Sequence, residues 1–566
     1  MHTWKPDTYG EAPPLVGGLM AGALTSCAFL GLARIVQVTT AAGIVNVHQK
    51  FQPHPSLKNL EPWLAAQGAH AAVVDFDSDG WMDVHLTNSA PGSKNRLFRN
   101  NGDGTFTDAA EAAGLADAGR EGGSLAALFF DYDNDGDPDL LLHAYFCLKL
   151  FNNDGGRFTD ATGPSGLRHC GNTLASLSVD VDEDGWPDLV IGDHYKPVDF
   201  LDPQDTRFMP RSSIQADNGG PIAVWRNDRD GTFSRVPGDL GIKSRGWTIA
   251  IGAWDLRGTG RRDLYFATDY GSDRVYFNEG GGRFADASGL VAYRHSRNGM
   301  SAEMADFEDG PAVFVANIFH PVYSNGGNVL WRWGRGAPAP RNTARRDGVD
   351  KCGWAWGAKF VDLDLDGRQD LYVSNGFITA SPVKDYWYRM GVLYATGGPL
   401  LEDSRNWPPM EDASLGGFER DCVYWNRGGR FEEVSGRTGV RDERLDGRGV
   451  AVLDTMNDGS PSLLVANAGG PARLYRSVRA RPSRWIGFSL RGTRSGTDAW
   501  GTRVELTLKD GRRLSRQLEP ANGFMSQSDP RLVFGLGQGG KVDRGEVLWP
   551  SGRREVLRDL ASGRYH

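Results

Sequence analysis

Short apolar runs alternate with acidic, Gly-bearing clusters along most of the chain. The clearest cluster is Asp75-Phe-Asp-Ser-Asp-Gly-Trp-Met-Asp83, and it returns whole at Asp131–Asp139, Asp180–Asp188 and Asp362–Asp370. After each cluster the chain runs apolar for about four residues and then meets a tip residue, polar at most of them. These tips are Asn88, Ala144, Asp193, Thr268, Asn317, Asn375 and Asn467. A second unit, Val38-Thr-Thr-Ala-Ala-Gly-Ile44, recurs at Phe106–Leu115, Phe158–Leu167, Phe284–Leu290 and Phe431–Val440. Aromatic–Asn–Gly turns stand before the later copies, as in Phe98-Arg-Asn-Asn-Gly and Phe151-Asn-Asn-Asp-Gly. Asn and Gly supply the positive φ of a hairpin turn, and the flanking aromatics cap its strands. One unit therefore reads strand, acidic loop, strand, polar tip, strand, Asn-Gly hairpin, strand. The acidic loops start at 75, 131, 180, 255, 306, 362 and 454, which makes seven units. Four strands per repeat at this period predict an all-β chain whose residues 37–480 form a seven-bladed β-propeller.

The acidic clusters add chemistry to the pattern. Each complete loop places carboxylates at positions 1, 3, 5 and 9 and Gly at position 6. Carboxylates this close repel one another unless a cation sits between them. Hard oxygen ligands at such spacing suit Ca²⁺, and the Gly permits the sharp turn. The expected ligands are Asp75, Asp77, Asp79 and Asp83; Asp131, Asp133, Asp135 and Asp139; Asp180, Asp182, Asp184 and Asp188; and Asp362, Asp364, Asp366 and Asp370. Three loops have decayed. Asp255–Asp263 keeps positions 1 and 9 but has Arg257 at position 3, where a guanidinium can stand in for a metal. Asp306-Phe-Glu-Asp-Gly310 is one residue short, and Asp454–Ser462 carries Met456 and Ser462 at positions 3 and 9. No metal is expected in these three.

Composition changes the picture only a little. The 566 residues carry a net charge of −8, which four bound Ca²⁺ would bring near zero, so the acidity belongs largely to the loops. No basic face interleaved with aromatics is present, and nucleic-acid binding is not expected. The cysteines, at 27, 147, 170, 352 and 422, form neither a CxxC nor a CxxCH motif, so zinc and haem lack support. They read either as a disulfide such as Cys147–Cys170 or as isolated buried thiols. Residues Leu15–Leu32 are uncharged and apolar, with Arg34 beyond them. Within the N-terminal segment 1–36 they read as a membrane anchor or signal peptide, as a lipoprotein leader ending at Cys27, or as a buried structural segment. The first two place the body outside the cytoplasm.

Two units are enlarged, between His194 and Val224 and between Asn375 and Asp421, the latter with Tyr386-Trp-Tyr388 and Trp407-Pro-Pro. Such insertions gather on one face of a repeat protein, often the binding face, although they are also tolerated as surface ornament. If the strand after each acidic loop is innermost, the tips ring one mouth of the central channel. His143, His194, Asp193 and Asp269 would then converge there as candidate catalytic residues. The competing reading is that the tips cap strand ends and tie blades together.

The Asp-rich loops and their hairpins resemble FG-GAP/VCBS repeats, the propeller repeats also seen in integrin α chains. Gly353-Trp-Ala-Trp-Gly-Ala-Lys-Phe-Val-Asp362 is similar to the segment that introduces a loop in the cartilage-acidic-protein-like family. Gly501-Thr-Arg-Val504, Asn522–Arg531, Phe534-Gly-Leu-Gly537 and Trp549-Pro-Ser-Gly552 resemble the ASPIC/UnbV domain. Residues 481–566 alternate apolar and polar positions and predict a small C-terminal β-sandwich. Within it Ser526, Gln527, Ser528, Asp529 and Arg531 form a polar loop cluster, which reads either as a functional loop or as one pinned by an Asp529–Arg531 pair. Two functions are compatible with these residues. One is a calcium-stabilised extracytoplasmic binding or scaffold protein for a protein, glycan or small-molecule ligand on the loop face. The other, which the UnbV resemblance implies, is an enzyme or auxiliary protein of enediyne-type natural-product biosynthesis with a pocket at the channel mouth. No GxSxG nucleophile motif is present to favour catalysis.

Overall fold

The computed structural model describes residues 34–566 except 54, 56–58, 120–121, 197–205, 213, 293–297, 325, 441–444 and 479–483. The apolar segment 15–32 and Cys27 lie outside the described residues. Among the described residues no helix is long and apolar enough to cross a membrane.

Seven small antiparallel sheets follow one another along the chain. Their first strands are Ala71–Val74, Ser124–Phe130, Thr173–Val179, Thr248–Trp254, Glu303–Phe307, Ala355–Val361 and Gly447–Leu453, and they define blades 1 to 7. Each first strand touches the first strand of the next blade, and the last touches the first, so the ring closes. This is the seven-bladed β-propeller that the repeats predict.

A strand from early in the chain clasps the last blade. Arg34–Gln37 pairs antiparallel with Arg473–Val478 and supplies the outer strand of blade 7. Residues 34–36, ahead of the expected start at 37, are thus part of blade 7.

The order of strands within a blade differs from the expectation. The strand before each acidic loop is innermost, and the strand carrying the polar tip is second. At two positions neighbouring first strands approach so closely that only Gly fits. A Cβ on Gly252 would lie 2.9 Å from the Ala302 carbonyl oxygen, and one on Gly357 would lie 2.2 Å from that of Arg448. Both strands are buried on both faces, so their sequences carry no alternation that could tell them apart.

The C-terminal domain pairs Arg484–Phe488 with Leu532–Gly537 and stacks that ribbon against a four-stranded sheet built on Arg503–Leu508 and Val542–Leu548. Ile486, Phe488, Val504, Phe534 and Val547 form the interface and join one core with blades 2 to 4. The domain sits on the acidic-loop face. One segment, Asn522–Gln527, enters the channel. Ser526 and Gln527 add a parallel strand to Ala71–Ala72, and the Gln527 amide both accepts from and donates to the Phe129 backbone, each at 2.8 Å.

The two insertions meet over the other face. Arg211 pairs with Glu402 at 2.9 Å, and Ser404 N donates to the Thr206 carbonyl at 2.8 Å. The second insertion contributes the helices Trp387–Thr396 and Gly398–Glu402. Trp63, Phe377, Tyr386 and Trp407 pack ring against ring beneath them. From there Phe377, Trp356 and Phe524 form a continuous aromatic column down to the C-terminal plug. Both mouths of the channel are therefore covered.

Candidate metal centres

In every complete loop the position 1 carboxylate first folds the loop itself. Asp75 accepts from the Asp79 and Gly80 amides at 3.0 and 2.9 Å, and Asp131, Asp180 and Asp362 do the same in their own loops. Gly80, Gly136, Gly185 and Gly367 all take positive φ at position 6, which only Gly adopts without strain. The position 9 carboxylate closes the loop on the hairpin. Asp83 accepts from Phe76 N at 3.2 Å and from Asn100 N at 2.7 Å, and Asp139, Asp188 and Asp370 repeat both bonds.

The consequence is convergence. One ligand oxygen from each of positions 1, 3 and 9 lies within 4.8 Å of the others in Asp75/Asp77/Asp83, Asp131/Asp133/Asp139, Asp180/Asp182/Asp188 and Asp362/Asp364/Asp370. Position 5 is not part of these groups. Asp79, Asp135, Asp184 and Asp366 instead accept from the amide two residues on. Asp79, Asp184 and Asp366 also pair with Arg99, Arg229 and Arg368. Burial pushes Asp83, Asp139 and Asp188 up to about 8, 9 and 8, well above the ordinary carboxylate range. Burial also raises Asp75 and Asp131 to about 6. Three carboxylates drawn together and desolvated need a positive charge among them, and the all-oxygen donor set fits a hard divalent cation.

The decayed loops show what replaces it. In blade 4, Arg257 donates to both oxygens of Asp263, to Glu279 at 2.9 Å and to the Asn278 carbonyl at 2.8 Å, and lies 4.4 Å over the Phe277 ring. In blade 5 the loop is gone: Phe307 pairs with Gly310 across a two-residue turn, and Asp306 accepts from Trp254 and Ser515. In blade 7 Asp454 still caps its loop and accepts from the Tyr565 hydroxyl at 2.8 Å. Asp529 and Arg531 do pair, and Arg531 also reaches Asn457 of this loop.

Two contributions were invisible in the repeats. The hairpin Asn joins neighbouring blades: Asn100, Asn153 and Asn227 donate their side-chain amides to the Thr455, Phe76 and Tyr132 carbonyls, each in the loop of the preceding blade. The C-terminal domain also caps the blade 2 loop, with Thr497 donating to Asp131 and Asp498 accepting from Asp131 N. Nothing in the local sequence marks either bond.

His143, His194, Asp193 and Asp269 lie at the ends of second strands on the insertion face. His143 bonds Ser176 at 2.7 Å, and Asp193 holds His169 and Thr173. His194 faces the Thr248 carbonyl, with Asp269 at 3.8 Å, and is packed against the Tyr195 and Trp247 rings. Burial lowers His143 and His194 to about 3 and 4, so both are neutral, and raises Asp269 to about 7. Asn88 likewise ties strand ends, donating to Asn46 and to the Lys94 carbonyl.

Comparison with known proteins follows the same outline. A family model described as FG-GAP-like repeat matches residues 75–142, and one described as ASPIC and UnbV matches residues 492–566. The chain is 32% identical over 371 residues to human cartilage acidic protein 1, covering 61% of this chain and 48% of that one. It is 24% identical over 377 residues to the Xenopus tropicalis protein of the same name, covering 61% and 49%. The chain thus spans about half the length of the curated relatives it matches. A solved Agrocybe aegerita lectin, described as recognising non-reducing terminal N-acetylglucosamine, aligns with a TM-score of 0.35 and 17% identity over 74% of this chain and 92% of that one.

Proposed function

For a chain that carries FG-GAP-like repeats and a C-terminal ASPIC/UnbV domain, we propose a calcium-stapled propeller that works outside the cytoplasm as a binding or scaffold protein. The observation that carries the calcium role is the convergence of positions 1, 3 and 9 in four loops, set against Arg257 filling the same space in a loop that has lost a ligand. Ca²⁺ here is structural: it neutralises carboxylates that join two strands of a blade to its hairpin. The disulfides Cys147–Cys170 and Cys352–Cys422 support an oxidising compartment, as does the similarity to cartilage acidic protein 1.

The binding role is supported by the insertion face. Val383, Tyr388 and Val392 are 87%, 69% and 50% exposed on the second insertion, and Val322 is 76% exposed close by in sequence to Tyr323, which stacks on Trp387. Exposed apolar side chains gathered on an insertion suit a partner surface. Metal analysis of the purified protein, with thermal unfolding before and after chelation, tests the reading. Four Ca²⁺ per chain and a fall in Tm on chelation are expected. An unchanged Tm would sink the structural role of calcium.

A further inference from the structure

Between the blade 3 and 4 loops and the C-terminal domain lies an open cleft of about 710 Å³, within the range of small-ligand sites. Its charges do not balance. Arg261, Arg262, Arg494, Arg503, Arg553 and Arg554 line it. The acidic groups beside them are already engaged. Glu183 pairs with Arg261 at 2.6 Å, Asp184 with Arg229 at 2.6 Å, and Asp255 with its own loop amides and Arg503. Asp180 accepts from the Asp184 and Gly185 amides. Arg262 and Arg553 are held by Glu519 and Glu555. Among the described residues this leaves Arg494 and Arg554 without an ion-pair partner.

The orphaned polar atoms of the lining point the same way. Trp549 Nε1 and Gln517 Nε2 are buried with no hydrogen-bond acceptor, and no buried side-chain oxygen among the described lining residues is left without a donor. A buried N–H without an acceptor is destabilising, so a site whose buried groups have only donors to spare suits an acceptor-rich guest. Guanidinium forks match planar or tetrahedral oxyanions. The half-buried Trp549 indole and the hydroxyls of Thr259, Ser495 and Ser551 add a flat apolar wall and exchangeable hydrogen bonds, which suit a sugar ring.

We propose that this cleft binds an anionic saccharide, its carboxylate or sulfate groups on Arg494 and Arg554 and a ring against Trp549. The site is distinct from the insertion face and needs no metal ligand of its own. Calorimetric titration of the full chain, in calcium throughout, tests it with an oligogalacturonate, a sulfated oligosaccharide of equal length, a neutral oligosaccharide and inorganic sulfate. Binding of the uronate or the sulfated sugar is expected, and whichever binds more tightly identifies the acid group. Affinity should fall with added salt and drop about tenfold or more in Arg494→Ala/Arg554→Ala. Both arginines are exposed, so the variant should keep the Tm of the parent. Trp549→Phe keeps a ring and removes the donor, and should weaken binding severalfold. Failure of both anionic sugars to bind overturns the proposal. So does neutral sugar or free sulfate binding as well as they do, or unchanged affinity in the arginine variant.

Discussion

Asn227 belongs to two blades at once. Its backbone N–H holds Asp188 at 2.8 Å, its side-chain oxygen accepts from Arg229 N, and its side-chain amide reaches the Tyr132 carbonyl of blade 2 at 2.7 Å. Asn227→Ala keeps the carboxylates and leaves a buried carbonyl without its donor. We expect a loss of about 1–3 kcal/mol in chemical unfolding with calcium stoichiometry unchanged. The sequence marks this Asn only as a turn residue, because its partner lies 95 residues away. The carboxylates it serves set a pH dependence. Burial holds Asp83, Asp139 and Asp188 at about 8 to 9 in the metal-free fold, against 3.8 ordinarily. The folded state then keeps protons that the unfolded chain releases, so their contribution is complete below pH 4 and is lost as pH rises through 8 to 9. Each group costs about 1.4 kcal/mol per pH unit across that window. The metal-free protein should therefore melt at falling temperatures from pH 5 to pH 9, and saturating calcium should flatten the curve. A metal-free Tm that rises over this range would contradict the assignment.

At the scale of the element, the acidic loop separates into two devices. Position 1 with the Gly at position 6 is a backbone fold, and it survives in blades 4 and 7, where Asp255 and Asp454 still accept from their loop amides. Positions 1, 3 and 9 together form the charge cluster, which the structure brings together without position 5. Blade 4 offers the test, since Thr259 already stands at position 5 and only Arg257 blocks the set. Arg257→Asp should raise the calcium count by one, read by metal analysis; no gain would mean that position 5 is required. The repeat count, the complete and decayed loops and the C-terminal unit could be read from residues because each depends on local spacing. The identity of the innermost strand could not, since Ser124–Phe130 and Asp139–Ala144 are both wholly buried.

The whole molecule is a ring closed at both ends of its axis. The insertions of blades 3 and 6 join over one mouth through Arg211–Glu402, and Asn522–Gln527 fills the other. Buried Lys359 lies between Glu303, at 3.1 Å, and the Asn522 carbonyl, so even the plug is fixed by charge. These segments are legible in the sequence but the closure is not, because nothing local shows that two insertions far apart in the chain will touch. Arg34–Gln37 carries a consequence of a different kind. It leaves the ribosome before any blade, whereas its partner, Arg473–Val478, leaves after six of them. The clasp must wait for nearly the whole propeller, and contacts this distant in sequence form slowly. Ile35 is buried against blade 6 and blade 7 residues, so Ile35→Asp weakens the clasp while leaving the other blades' strands intact. It should speed unfolding far more than it slows the formation of early blades, as stopped-flow kinetics would show. Equal slowing of every refolding phase would count against a clasp that engages last. During synthesis, then, Arg34–Gln37 is an unpaired sticky edge until the chain returns to it.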